Sequence, residues 1–388
     1  MRYWRGYLTA GILAVLTMGL SLLAKRFSVL IDAFYPFLTR EVQTTLAIWS
    51  STVDVTVWQV AAMLLVLGLL LTVVLMVALK WNFFQWLGWV LAGASLVWLL
   101  HTGIYGLNYY AGPLSQDIHL KNYDFTVKDL EETTIYFRDK ANAMALEMPR
   151  DKDGNLIYSD FETLAGMAGE GFYTLTYEHS GSVFAGSLLP VKELAWAKLY
   201  ASMGIMGITM PITGEAAVNP LIPAVAMPFT MCHEMAHRMC IATEDDANFA
   251  AFLACLTNED VQFKYSAYYM AYRYCYSALL ASGTGEAAAA AARIDLEVNS
   301  YLRYDLKTYD RFFTNHRSEL ATDIANAAND AYIKLSGDAT GTDSYGRVAT
   351  DLVNWYIDVM VMPYVDQKEE SDFDPLDKDY IDGILGNN

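Results

Sequence analysis

At 388 residues the chain is long enough for two or three domains, and 54% of it is hydrophobic. The formal net charge is −18, and residues 105–388 alone hold 20 Lys/Arg against 41 Asp/Glu. This surplus of acid excludes the basic footprint of a nucleic-acid binder and gives the C-terminal part no attraction to an anionic leaflet.

The hydrophobic residues are concentrated near the N-terminus. Tyr7 to Ala24 is an apolar run flanked by Arg2, Arg5, Lys25 and Arg26. Val60 to Leu79 is twenty residues without a charge, closed by Lys80, and Phe83 to Leu100 is a third uncharged run, rich in Trp. Each approaches the ~20 residues that cross a bilayer as a helix. No small-x-small cleavage site precedes Lys25 and two further runs follow, so the first reads as a span, not a secretory signal. The expectation is a membrane part over residues 1–104 with three transmembrane helices at about 7–24, 60–79 and 83–100.

Flanking Lys/Arg are balanced, three on each side. Arg2 and Arg5 border the first span, which usually dominates orientation. With the acidity of the remainder, this places the N-terminus inside and the domain over 105–365 outside the cytoplasmic membrane. Residues 25–55 read as an extracytoplasmic loop of some amphipathic character (Phe34, Tyr35, Phe37, Leu38), and 81–82 as a tight turn.

Beyond the spans, Tyr105 to Tyr110 suits a membrane interface. Residues 126–147 read as a helix opened by Thr126 with Asp129 three residues on. Phe172 to Tyr177 and Val183 to Leu189 have strand character, 190–204 is helical, and Ile205 to Met210 is a short strand. From about 222 the pattern is nearly all helix, over 224–241, 244–256, 260–281, 285–304, 307–336 and 346–362, with a break at Gly337 to Gly341. The acidic stretch 366–388 reads as a solvated tail. The fold class is therefore mainly α with a small β element. Cys232, Cys240, Cys255 and Cys275 lack CxxC spacing and lie in apolar helical stretches, as small buried hydrophobes do.

Within the helical region stands His233-Glu234-Met235-Ala236-His237, an HExxH sequence. On a helix, residues four apart share a face. Two imidazoles so placed can bind one Zn²⁺, with Glu234 beside it. Such a site needs a third protein ligand, and Glu244 is the best-placed acid. On an unbroken helix it would lie about 10 Å beyond His237 at 1.5 Å per residue, so the chain must reverse. Thr243 followed by Glu244, Asp245 and Asp246 reads as an N-cap and acidic first turn, which starts a new helix after a turn near Ile241-Ala242. Asp245 and Asp246 are the alternatives to Glu244 as ligand. Asn248, one turn further along that face, is placed to accept the spare N–H of a ligating His.

Glu244-Asp-Asp-Ala-Asn248 resembles the second motif of gluzincin metallopeptidases, whose Glu is the third zinc ligand. The three spans, Gly106-Leu107-Asn108-Tyr109-Tyr110, Pro211-x-x-Gly214-Glu215-x-x-x-Asn219, Pro228-Phe229-Thr230 and Ser344-Tyr345-Gly346-Arg347 together resemble a bacterial membrane family, domain of unknown function 3810. Cys240 departs from this pattern, standing where a Gly more often begins the turn after the second His. The resemblance implies a gluzincin-like, zincin-type fold and a peptidase activity at a bacterial cytoplasmic membrane.

Metal-assisted hydrolysis of a peptide or protein substrate follows as the expected reaction. One Zn²⁺ activates water, and Glu234 serves as general base and then acid. Tyr345, Arg347, Tyr265 and His316 are candidates to stabilise an oxyanion. A zinc-binding sensor or scaffold, and a zinc-dependent amidase of a cell-wall substrate, are the competing readings. The intact Glu234 argues against a pure scaffold.

Overall fold

Long uncharged runs become helices, since a helix satisfies its own backbone groups where water does not. Among the described residues of the computed structural model, three helices are long and apolar enough to cross a membrane: α1 (Arg5–Arg26), α3 (Val57–Ala78) and α4 (Phe83–Ile104). The structure describes residues 4–179, 183–336 and 345–363. α1 and α4 lie side by side and run parallel. Near their starts, Gly6 and the main chain of Gly88 approach so closely that a Cβ on Gly6 would overlap Gly88. At the other end α1 packs against the turn that follows α4, and Tyr35, nine residues past the end of α1, donates its hydroxyl to the Thr102 carbonyl of α4 (3.0 Å).

Residues 25–55 are not a loop. A break of one residue at Phe27 separates α1 from α2 (Ser28–Ser50). The helical signal of α2 is obscured by Asp32, Arg40 and Glu41, which interrupt its apolar residues. Its inner face (Thr39, Arg40, Gln43, Ala47, Ser50) is buried against the rest of the protein, while Phe34, Phe37, Leu38, Ile48 and Trp49 face outward.

After a 3₁₀ turn at Gly106–Tyr110 and the short α5 (Leu114–Asp117), the chain forms α6 (Val127–Glu147) and α7 (Phe161–Glu178). The Thr126–Asp129 capping box opens α6 as expected. Phe172 to Tyr177 is helix, not strand. Asp160 caps α7, and Leu164, Ala168, Phe172 and Leu175 recur at helical spacing on its buried side. Val183 to Leu189 forms no strand either, because the carbonyls of Ser187 and Leu189 are taken by the Arg238 guanidinium. Of 190–204 only α8 (Ala197–Met203) is helical, since β1 (Lys192–Glu193) pairs parallel to β3 (Glu215–Val218). β2 (Gly207–Met210) bears out the short strand and pairs antiparallel to β3, giving the order β1-β3-β2 with β2 at an edge.

Then follow α9 (Met227–Arg238), α10 (Glu244–Thr257), α11 (Val261–Ala281), α12 (Gly285–Leu296), α13 (Ser300–His316), α14 (Glu319–Ser336) and α15 (Tyr345–Trp355), which runs into a π turn at Tyr356–Val361. The two long helices expected over 285–336 are three. Asn299 starts α13 by accepting the Leu302 N–H (2.8 Å), which ends the helix before it. The expected break at 337–341 and the tail at 366–388 lie outside the described residues. The fully buried β3 lies under α9, and α6, α7, α10 and α11 close the core around Phe137, Phe172, Phe249, Phe252 and Tyr269. The four cysteines are buried free thiols.

Candidate metal centre

α9 carries both imidazoles, with Pro228 in its first turn, where the missing N–H costs nothing. The Nε2 atoms of His233 and His237 stand 3.1 Å apart. Their helix ends just beyond them in a Schellman turn. Cys240 N–H bonds to His237 O (2.9 Å) and Ile241 N–H to Ala236 O (3.1 Å). Cys240 itself is left-handed (φ 69°), the conformation for which glycine is usual. Burial pushes its thiol up to about 11, against hydrogen bonds from Thr39 and Asn108, so the strained residue is held from α2 and the 3₁₀ turn. Arg40 of α2 secures the same turn, its Nε donating to the Met239 carbonyl (3.1 Å).

This reversal has two effects. It presents the Ile241 carbonyl to Nδ1 of His237 (2.9 Å), which makes Nδ1 the donor and turns Nε2 toward His233 and Glu244. It also sets Thr243 to cap α10, whose first residue is Glu244. The Glu244 carboxylate lies 3.4 Å from His233 Nε2 and 3.8 Å from His237 Nε2. One donor atom from each of the three residues falls within 4.8 Å of the other two, a group that could hold a metal ion. The donor set, two imidazoles and a carboxylate, suits a divalent transition metal, zinc and iron among them.

Electrostatics bind the trio together. Burial pulls the His237 ring down, but the carboxylates of Glu244 and Glu234 and the Ile241 carbonyl outweigh it and lift the ring to about 9. Burial would raise Glu244, but hydrogen bonds from His233 and His237 hold it well below the ordinary carboxylate range. A cation would take the place of the proton that His237 otherwise attracts.

The neighbouring acids are engaged elsewhere. Asp245 accepts from Arg347 Nε (2.8 Å), and Asp246 accepts from the Leu114 N–H (3.1 Å) and the Thr243 hydroxyl (2.6 Å). Asn248 is not at an imidazole. Its Oδ1 accepts from the Tyr274 hydroxyl (2.9 Å), and the spare N–H of His237 goes to Ile241 O instead. Among the described residues the buried Nδ1 of His233 has no hydrogen-bond partner.

Glu234 is buried against β2. The Thr209 hydroxyl lies 2.7 Å from its Oε2 and 2.8 Å from its carbonyl oxygen. Gly207 lies under the carboxylate, where a Cβ would overlap Oε1 and Cγ. Burial raises the Glu234 carboxyl, opposed by the charges of His233 and His237 and by Thr209. Neither Thr209 nor Gly207 is marked by any motif; only their place in the strand beside the HExxH helix points to them.

The four candidates for oxyanion stabilisation separate. Tyr265 is buried and donates to Asp305, which also holds Arg150. His316 is exposed at the end of α13, its ring against the Phe312 carbonyl (2.8 Å). Arg347 is tied to Asp245, next to Glu244. Tyr345 begins α15, and its side chain lies outside the described residues.

A family model described as a protein of unknown function (DUF3810) matches residues 32–353. No curated protein and no solved structure matches the chain.

Proposed function

The chain belongs to the family of proteins of unknown function DUF3810, and from that premise we propose that it is a membrane-anchored zinc metallopeptidase of gluzincin type. The observation that carries this reading is the convergence of His233, His237 and Glu244, with buried Glu234 on the same helix facing edge strand β2. A zinc ion held by the trio would supply Lewis acidity, which polarises a carbonyl and acidifies water. Glu234 takes the proton of the attacking water and delivers it to the leaving amine. A carboxyl raised by burial, as this one is, has a pKa nearer the working pH and so suits both halves of that transfer. β2 stands at an edge of the sheet, the position to which an extended chain adds, which favours a peptide substrate.

α1, α3 and α4 serve as membrane spans in this reading, with the N-terminus in the cytoplasm and the metal-binding domain outside a bacterial cytoplasmic membrane. The deciding experiment compares wild type and Glu234→Gln for zinc content and for cleavage of a peptide library read by mass spectrometry. The expected result is equal zinc and cleavage by wild type alone. Equal cleavage by both proteins, or zinc without hydrolysis, overturns the peptidase reading. Cleavage confined to a cell-wall amide would reassign the enzyme as an amidase.

A further inference from the structure

We propose that α2 lies flat on the outer membrane surface as an interfacial helix, sandwiched between the bilayer and the domain that carries the candidate metal centre. The inference rests on reading α1, α3 and α4 as spans, and on a parity argument. α1 and α4 run parallel, with Gly6 against Gly88 at one end and α1 against the Gly106–Tyr110 turn that follows α4 at the other. Two parallel spans require the chain to cross back an odd number of times between them. α3 supplies one crossing, so α2 supplies none. If α2 crossed as well, α4 would run antiparallel to α1.

α2 begins one residue after α1 ends and finishes shortly before α3 begins. Both ends are therefore fixed at the same membrane face, and its 23 residues extend roughly 34 Å at 1.5 Å per residue. Its sidedness is inverted relative to a helix of a soluble protein. The face packed on the protein is polar. Gln43 Nε2 donates to the Pro211 carbonyl (3.0 Å), Asp32 accepts from the Gly112 N–H (2.7 Å), and Arg40 holds Met239 O. The outward face carries Leu30, Phe34, Phe37, Leu38, Ile48 and Trp49, all more than half exposed. Such a stripe is what an interfacial helix buries in the headgroup–acyl boundary. Glu41 sits within this stripe and limits the depth, because a carboxylate in hydrocarbon is costly. Lys25 and Arg26 at the preceding junction, and Trp58 at the start of α3, are residues of the interfacial level.

The test places a nitroxide on single introduced cysteines in the full chain in phospholipid nanodiscs; the four native thiols are buried. Oxygen and an aqueous nickel chelate report lipid and water exposure. Probe positions are Phe34, Leu38, Thr45 and Ile48 on the stripe, Leu65 in α3 as the span reference, and Leu296 in α12 as the water reference. The expected result is oxygen-favoured exposure at all four stripe positions, at one common depth shallower than Leu65. Nickel-favoured exposure of the stripe like that of Leu296, with Leu65 in lipid, overturns the interfacial helix alone. A depth that changes steadily from Phe34 to Ile48 makes α2 a span and also overturns it. Leu65 in water overturns the span reading, and with it the premise of this proposal.

Discussion

The hydroxyl of Thr209 stands 2.7 Å from the Oε2 of Glu234, joining edge strand β2 to the one carboxylate in the HExxH helix. Gly207 on the same strand leaves room for that carboxylate. The two residues therefore fix where Glu234 points without binding the metal themselves. Thr209→Val should lower kcat about tenfold, and Gly207→Ala about a hundredfold, within the range that general acid–base positioning supplies. Zinc content should stay at the wild-type level in both. Loss of zinc in either variant would show that the strand supports the ligands and not Glu234.

The three acids at the start of α10 make a sharper distinction. Glu244 faces both imidazoles, whereas Asp245 is bonded to Arg347. Glu244→Ala should lose zinc by metal analysis, and chelator should no longer lower its melting temperature, because a cation that binds only the folded state stabilises it. Asp245→Ala should retain zinc. The reverse pattern would make Asp245 the ligand.

The features legible in the sequence are those that local rules govern. The His233–His237 spacing and the Thr243 cap each act within about a turn of helix, so they are visible in a few residues. The turn between them was required by distance alone, and Cys240 adopts it at the strain of a non-glycine left-handed residue. Thr209 and Gly207 carry no mark in the sequence because their contact with Glu234 is tertiary. The partner of Asn248 is hidden for the same reason, since Tyr274 comes from α11, an element that sequence spacing does not align with it. α2 was hidden by its own function in the fold. Asp32, Arg40 and Glu41 break the apolar run that marks a span, although Thr39, Arg40, Gln43, Ala47 and Ser50 recur at helical spacing. The motif residue Glu215 gained its meaning only from the fold.

Glu215 ends the N-terminus of α3 from another part of the chain. Its Oε1 accepts the Val57 N–H (2.8 Å) and its Oε2 the Trp58 N–H (2.9 Å), while Lys192 pairs with it at 2.8 Å. Lys192 also donates to the carbonyl of Ser50 at the end of α2 (2.8 Å). Glu215→Ala would strand a nearly buried ammonium and two amides, a loss of about 3–5 kcal/mol. Lys192→Met should cost less, because Glu215 keeps its two amide donors. Thermal unfolding in detergent should rank wild type above Lys192→Met and Lys192→Met above Glu215→Ala; an inverted order would assign the junction's stability to the cation.

Asp351 of α15 gives the pH dependence a sign. Burial, and then the charges of Asp246 and Asp245, push its carboxyl up to about 7, with Arg347 opposing. The folded state thus favours the protonated form more than the unfolded chain does, whose aspartate titrates near ~4. The contribution of this group to stability is full below about 4, declines as pH rises and is lost above about 7. Asp351→Asn should therefore melt higher than wild type at pH 8 and no higher at pH 4. A constant difference across that range would mean that the amide acts through packing and not through charge.

Arg40 ties α2 to the turn that follows His237, and with α2 at the interface, as proposed, the candidate metal centre would lie close above the bilayer. A helix with its side chains is about 10 Å thick, a distance that about three extended residues cover. A peptide anchored in the same membrane would need only a short free stretch to reach the edge of β2, and confinement to the surface raises its effective concentration. A lipid-anchored peptide should accordingly be cleaved at least tenfold faster than its soluble counterpart when the protein is in a bilayer. In detergent, where enzyme and peptide no longer share a surface, the advantage should shrink to near unity. An equal rate for both peptides in the bilayer would separate the site from the membrane surface, even if every other prediction held.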